Sequence, residues 1–178
     1  MSDDELFDFC QVNRELRIER SEQGELIIMP PTGSETGARD SELNMQLCNW
    51  AKRDGTGKAF GSSTGFRLPN GAMRSPDAAW LPLSRWNALT AEERKKFAPL
   101  CPDFVLELRS PTDTLDALRE KMEEYLRNGA ELGLLIDPED RRVYIYRRGE
   151  EVRILDDPKT VACDPTLPGF VLDLEEIW

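Results

Sequence analysis

A chain of 178 residues, 39% hydrophobic and 32% charged, has the length and composition of one folded domain over residues 1–178, which excludes a disordered or fibrous polymer. It contains no histidine, so Ser-His-Asp and Cys-His catalysis and histidine-bound metal centres are all excluded. The net charge of −11 collects at the two ends, −7 over residues 1–42 and −5 over 154–178; that total disfavours nonspecific adhesion to nucleic acid, while the near-neutral middle leaves room for a local basic cleft.

Residues 14–20 and 25–29 flank the polar Ser21-Glu-Gln-Gly24 and predict a β-hairpin, ended by Pro30-Pro31-Thr32-Gly33. From about 35 to 52 the spacing of Leu43, Leu47, Trp50 and Ala51 predicts an amphipathic helix, stopped near Gly55 and Gly57. Residues 61–71, rich in Gly, Ser and Asn, predict short strands joined by turns, and Ala78-Ala-Trp-Leu81 a further strand. Short helical turns are expected over 84–97.

Residues 103–109, Asp-Phe-Val-Leu-Glu-Leu-Arg, predict a central strand buried on both faces. After Ser110-Pro-Thr-Asp113 comes a helix with Leu115, Leu118, Met122, Tyr125 and Leu126 on its apolar face and Gly129 closing it. Residues 132–137 read as another buried strand and 142–148 as an edge-ward one. The tail, 167–174, holds one more short apolar run. This order predicts an α/β (α+β) fold: a central mixed β-sheet flanked by helices.

No segment approaches the ~20 consecutive apolar residues that span a bilayer. The opening Met1-Ser-Asp-Asp-Glu-Leu-Phe-Asp-Phe-Cys10 is acidic where a secretion signal is basic. A cytoplasmic protein is expected. The cysteines at 10, 48, 101 and 163 form no CxxC pair, which disfavours a zinc knuckle or dithiol centre and predicts buried free thiols. The tryptophans at 50, 80, 86 and 178 suit either core packing or an interface.

A carboxylate inside a buried strand needs compensation. Glu107 is that residue. One reading pairs it with Arg109, two positions on and on the same strand face; the other makes it a metal ligand joined by a second acid. Two Pro-Asp pairs offer that acid. Asp103 is four residues from Glu107 on one strand, ~13 Å away at ~3.3 Å per residue, too far to share an ion with ligand distances near ~2.1 Å. Asp77, from another strand, is free of that restriction, although a turn aspartate after Pro76 is its plainer role. Arg109, permanently charged, can bind phosphate and cannot act as a neutral base. Lys121, on the next helix and close to Tyr125, is either a surface lysine or a second cation for the site.

These residues lie within a wider pattern. Pro31-Thr-Gly-Ser-Glu-Thr-Gly37, Ser63-Thr-Gly-Phe-Arg-Leu-Pro-Asn-Gly71, Arg74-Ser-Pro-Asp-Ala-Ala-Trp80 and Pro102-Asp-Phe-Val-Leu-Glu-Leu-Arg-Ser-Pro111 follow one another in order. Lys121-Met-Glu-Glu-Tyr125, residues 129–138 and Leu167-Pro-Gly-Phe170 continue it. Together they resemble the Uma family of restriction-endonuclease-like proteins, within the PD-(D/E)XK nuclease superfamily. The resemblance implies a restriction-endonuclease-like fold and a Mg²⁺ site (Mn²⁺ substituting), with Asp77, Glu107 and the Leu108 carbonyl as metal ligands. It places Lys121 on the helical lysine position and Glu35 near the acidic position opening the first helix, where a carboxylate favouring the helix dipole is equally expected. Arg109 departs from the superfamily's ExK lysine, and Thr36 stands where many relatives have histidine.

The first expectation is a Mg²⁺-dependent endonuclease acting on DNA, with Lys121, helped by Arg109, positioning water or stabilising developing charge. A homodimer is implied by the resemblance. The alternative is an inactive DNA-binding or assembly module on the same fold, and a third class, paired-carboxylate chemistry on sugars, has no support from the family.

Overall fold

The strand order follows from which runs are apolar on both faces. In the computed structural model, which describes residues 1–178, β7 (Phe104–Leu108) and β8 (Leu132–Asp137) are buried throughout. They pair in parallel, the one parallel ladder of a six-stranded sheet ordered β10-β9-β8-β7-β6-β3. A parallel pair needs a crossover, and α5 (Leu115–Arg127) supplies it. The remaining members are β3 (Gly57–Gly61), β6 (Ala78–Pro82), β9 (Arg142–Arg147) and β10 (Arg153–Asp156), all antiparallel to their neighbours.

Each face of this sheet carries its own core. Alternation sends Phe104, Leu106 and Leu108 toward α2 (Ser34–Asp54), whose Leu43, Leu47, Trp50 and Ala51 lie in the same cluster. Val105, with Leu135 and Tyr144, lies instead with Met122 and Tyr125 of α5. Helix and sheet approach closely there because position 133 has no side chain: a Cβ at Gly133 would stand 2.4 Å from Met122 Cε. The tail hairpin of β11 (Thr160–Ala162) and β12 (Val171–Asp173) covers the α2 side.

A second sheet, ordered β2-β1-β5-β4, is built from shorter pieces: β1 (Arg17–Arg20), β2 (Leu26–Met29), β4 (Phe66–Arg67) and β5 (Met73–Arg74). The expected hairpin is present, its register running from Arg17 opposite Met29 to Arg20 opposite Leu26. Gly24 turns it at φ +88, a backbone conformation glycine adopts without a Cβ penalty. An N-terminal helix, α1 (Asp3–Val12), packs over this sheet through Leu6, against Ile18 and Met73. Two short helices, α3 (Leu83–Ala88) and α4 (Ala91–Lys95), fill the expected span between β6 and β7.

Several expectations are corrected. β9 is interior, because β10 pairs along its outer side and Val143, Tyr144, Ile145 and Tyr146 are all buried; α1, β10 and β11 are additional elements. Cys101 and Cys163 are buried free thiols, but Cys10 is only partly covered and Cys48 is exposed on α2. Trp50 and Trp80 are core residues. No helix is long and apolar enough to cross a membrane.

Candidate functional site

The ladder between β6 and β7 brings the two acids together. Its register pairs Ala78 with Leu106 and Ala79 with Val105; one further step sets Asp77 opposite Glu107. Directly opposed residues have Cβ atoms on the order of 5 Å apart and project to the same sheet face. The next step would set Leu108 against Pro76, beyond the end of the ladder, where the Leu108 N–H needs another acceptor. The Asp77 carboxylate takes over there: Leu108 N–H donates to its Oδ2 at 2.8 Å. In an extended strand a residue's N–H and C=O turn to the same side, so the Leu108 carbonyl also lies on the β6 side of β7.

Asp77 and Glu107 line one cavity of about 490 Å³. Alternation along β7 puts Glu107 on the α5 face with Val105, where two side chains one helical turn apart reach it. Lys121 Nζ lies 2.8 Å from Glu107 Oε1, and the Tyr125 hydroxyl donates to the same oxygen at 2.8 Å. Lys121 is no surface lysine: only 12% of its side chain is exposed, and its ammonium is also 2.9 Å from Glu19 Oε1. Glu19 is buried in β1 and held further by the Ser75 N–H at 2.9 Å and Arg74 Nη1 at 3.1 Å. Arg74 in turn bonds Glu124 at 2.6 Å.

The charges follow from these partners. Burial pushes the Glu107 carboxyl up to about 7, opposed by Lys121 and reinforced by the Asp77 and Glu19 charges. Burial acts the same way on Glu19, but Lys121, the Ser75 N–H and Arg74 outweigh it and hold that carboxyl below its ordinary value. Burial also opposes the Lys121 ammonium, yet Glu107 and Glu19 raise its pKa above the usual lysine range.

Glu35 and Leu108 line the same cavity, Glu35 at its rim, exposed and 3.1 Å from Arg39 one turn along α2. Arg109 is elsewhere. β7 ends at Leu108; Arg109 N–H donates to the Ile136 carbonyl, and its side chain crosses to β8, 2.7 Å from Asp137 and 3.6 Å from Glu139. Of the two readings of Glu107, the one that pairs it with Arg109 fails: its cation is Lys121, because alternation does not hold one residue past the strand's end. Asp103 pairs with Arg85 at 2.6 Å, away from the cavity.

Three contributors escaped sequence reasoning. Arg17 of β1 lies 3.0 Å from Asp77 Oδ1, and Glu19 is its neighbour on the same strand face. Asp40 also lines the cavity; burial and then the Asp77 charge raise its pKa, and it accepts from the Ser62 hydroxyl at 3.2 Å. A signal for Asp40 existed: Thr36, Asp40 and Asn44 recur every four residues on α2, and Asn44 Nδ2 donates to the Asp77 carbonyl at 3.0 Å. Arg17 and Glu19 carried no comparable mark.

The donor set suits a hard divalent ion. Two carboxylates and a peptide carbonyl offer oxygen only, the preference of Mg²⁺ and Mn²⁺, and the mutual repulsion of Asp77 and Glu107 is what a cation relieves. No group of three or more His, Cys, Asp or Glu side chains converges as a ready metal cage, so the protein would fill only part of an octahedral shell.

The family described as Uma2, putative restriction endonuclease, matches residues 3–175. A search of curated proteins finds no match. Among solved structures, a putative nuclease belonging to DUF820 from Anabaena variabilis is similar with a TM-score of 0.76 at 22% identity, covering 90% of this chain and 88% of that one. The likeness is one of fold, and it bears out the restriction-endonuclease-like architecture.

Proposed function

The chain belongs to the Uma2 family of putative restriction endonucleases, and on that footing we propose that it is a Mg²⁺-dependent endonuclease that hydrolyses DNA phosphodiester bonds. The observation that carries the reading is the meeting of Asp77, Glu107 and Lys121 around one cavity. Asp77, Glu107 and the Leu108 carbonyl would hold the ion. When bound, the ion supplies a polarised phosphate and a water of lowered pKa. Lys121, fixed between Glu107 and Glu19, presents a permanent positive charge where the phosphate gains negative charge. Tyr125 keeps Glu107 aimed from α5, and the Leu108 N–H keeps Asp77 aimed from β7. Glu35 sits at the mouth, placed to meet substrate or solvent. Arg109, tied to Asp137, has no part in this arrangement.

Cutting both strands of a duplex calls for two such sites, so the proposal includes a homodimer; its setting is the cytoplasm. Supercoiled plasmid incubated with Mg²⁺, Mn²⁺ or EDTA tests the reading. Nicking is expected with either ion and not with EDTA. Asp77→Ala and Glu107→Ala should reduce it to background while far-UV circular dichroism is unchanged. Cleavage retained in both variants overturns the assignment; wild-type binding without cleavage replaces it with a DNA-binding module.

A further inference from the structure

Arg17 stands where two cavities meet. Beside the one that holds the carboxylates, a second of about 450 Å³ runs along the first hairpin and the end of α1. They share Arg17, the segment from Met29 to Thr32, and Ser62. Their charges differ in sign. Five acids line the first against Arg17 and Lys121; Arg14 and Arg17 line the second against Glu15 alone. The first attracts a cation and the second an anion.

Arg17 is incompletely paired where it lies. Both of its bonds run from Nη2, to the Ser75 carbonyl at 2.5 Å and to Asp77 Oδ1 at 3.0 Å, while the buried Nε has no partner. An unpaired buried donor is unfavourable, so a guanidinium that turns to a phosphate gains a partner it lacks. Arg14 is exposed, and its Nε donates to the Gln11 carbonyl at 3.0 Å.

We infer that the second cavity holds the nucleic-acid backbone adjoining the bond placed at the carboxylates, with Arg17 as the contact common to both cavities and Arg14 as the outer one. The inference rests on the endonuclease reading for which bond is cut, but the binding it describes needs no cleavage.

Fluorescence anisotropy of a short fluorescein-labelled DNA duplex, followed against KCl in EDTA, tests it. Each lost phosphate contact lowers the slope of log affinity against log salt by about 0.9. Arg17→Ala and Arg14→Ala should each show that drop, and Arg17→Lys should keep the slope because it keeps the charge. Unchanged slopes in both alanine variants overturn the inference. If circular dichroism shows Arg17→Ala unfolded, Arg14→Ala decides, and no drop there overturns it. Potassium phosphate replacing KCl at equal ionic strength separates a backbone from a free anion: displacement of the duplex by millimolar phosphate assigns the cavity to inorganic phosphate and overturns the inference. Reduced slopes beside a wild type that never cuts plasmid uphold it and reject the endonuclease; cleavage lost in Asp77→Asn with slopes unchanged in the arginine variants does the reverse.

Discussion

The two sheets contribute opposite things to one cavity. The six-stranded sheet brings Glu107, on its fully buried strand β7, and Asp77, immediately before β6. The four-stranded sheet brings Arg17, Glu19 and Arg74, the groups that set the charge around those acids. Glu107 and Glu19 make the contrast plain, since both are almost wholly buried and both touch Lys121. Glu19 has an arginine and a peptide N–H besides the lysine and stays ionised. Glu107 has only a neutral phenol besides it, faces two other carboxylates, and titrates near neutrality. Burial alone does not decide ionisation; the number and charge of donors do.

Removing the group shared by both sheets is the harshest way to break this contrast. Lys121→Ala leaves two buried carboxylates without their common cation and should lower stability by about 3–5 kcal/mol, read as a shift in the urea midpoint at constant m-value. Tyr125→Phe touches only the acid of the larger sheet. Loss of one hydrogen bond to a charged group should cost about 1.5–3 kcal/mol at a pH where Glu107 is ionised, and less below pH 7.

Titration sharpens the comparison, because the two acids move stability in opposite directions. In EDTA, the raised Glu107 stabilises most below its unfolded value of 4.5 and loses that contribution as pH rises toward about 7. Glu107→Gln should therefore gain stability relative to wild type across that window. The lowered Glu19 contributes above 4.5 and loses its contribution as pH falls through its folded value. Urea midpoints of Glu19→Gln should accordingly fall less steeply than those of wild type below pH 4.5. Parallel curves for the two variants would contradict the asymmetry. The smallest effect belongs to the outer edge of the smaller sheet: Ile28, 55% exposed, should tolerate serine within about 0.5 kcal/mol in the same denaturation assay.

The difference between the sheets also explains what could be read from the chain alone. β7 and β8 are uninterrupted apolar runs, and such runs identify central strands; one acid within one of them identified Glu107. Lys121 was placed near Tyr125 by helical spacing, and that is how the two reach the same carboxylate. Arg17-Ile-Glu-Arg20 offered no such mark, since four residues of mostly charged character look solvated. Ile18, Glu19 and Arg20 are buried because β5 and α1 cover them, contacts made across more than fifty residues in the case of Arg74 and Ser75. The sequence of β9 did hold a usable sign, since Tyr144 and Tyr146 on one face alternate with Val143 and Ile145 on the other, and large apolar side chains on both faces of a strand fit an interior position better than an edge. Arg109 shows the opposite error, a rule of alternation outliving the strand it belongs to.

Gly133 ties the depth of α5 to the reach of a side chain on it. The methionine tip fills the space that a methyl group would need, so the thickness of the layer there is fixed by two positions jointly. A bulkier residue at 133 would require a shorter one at 122, or else the whole helix would ride outward and carry its ammonium off the strand. Designers wishing to detune the centre without touching any of its polar groups have in that pair a mechanical dial.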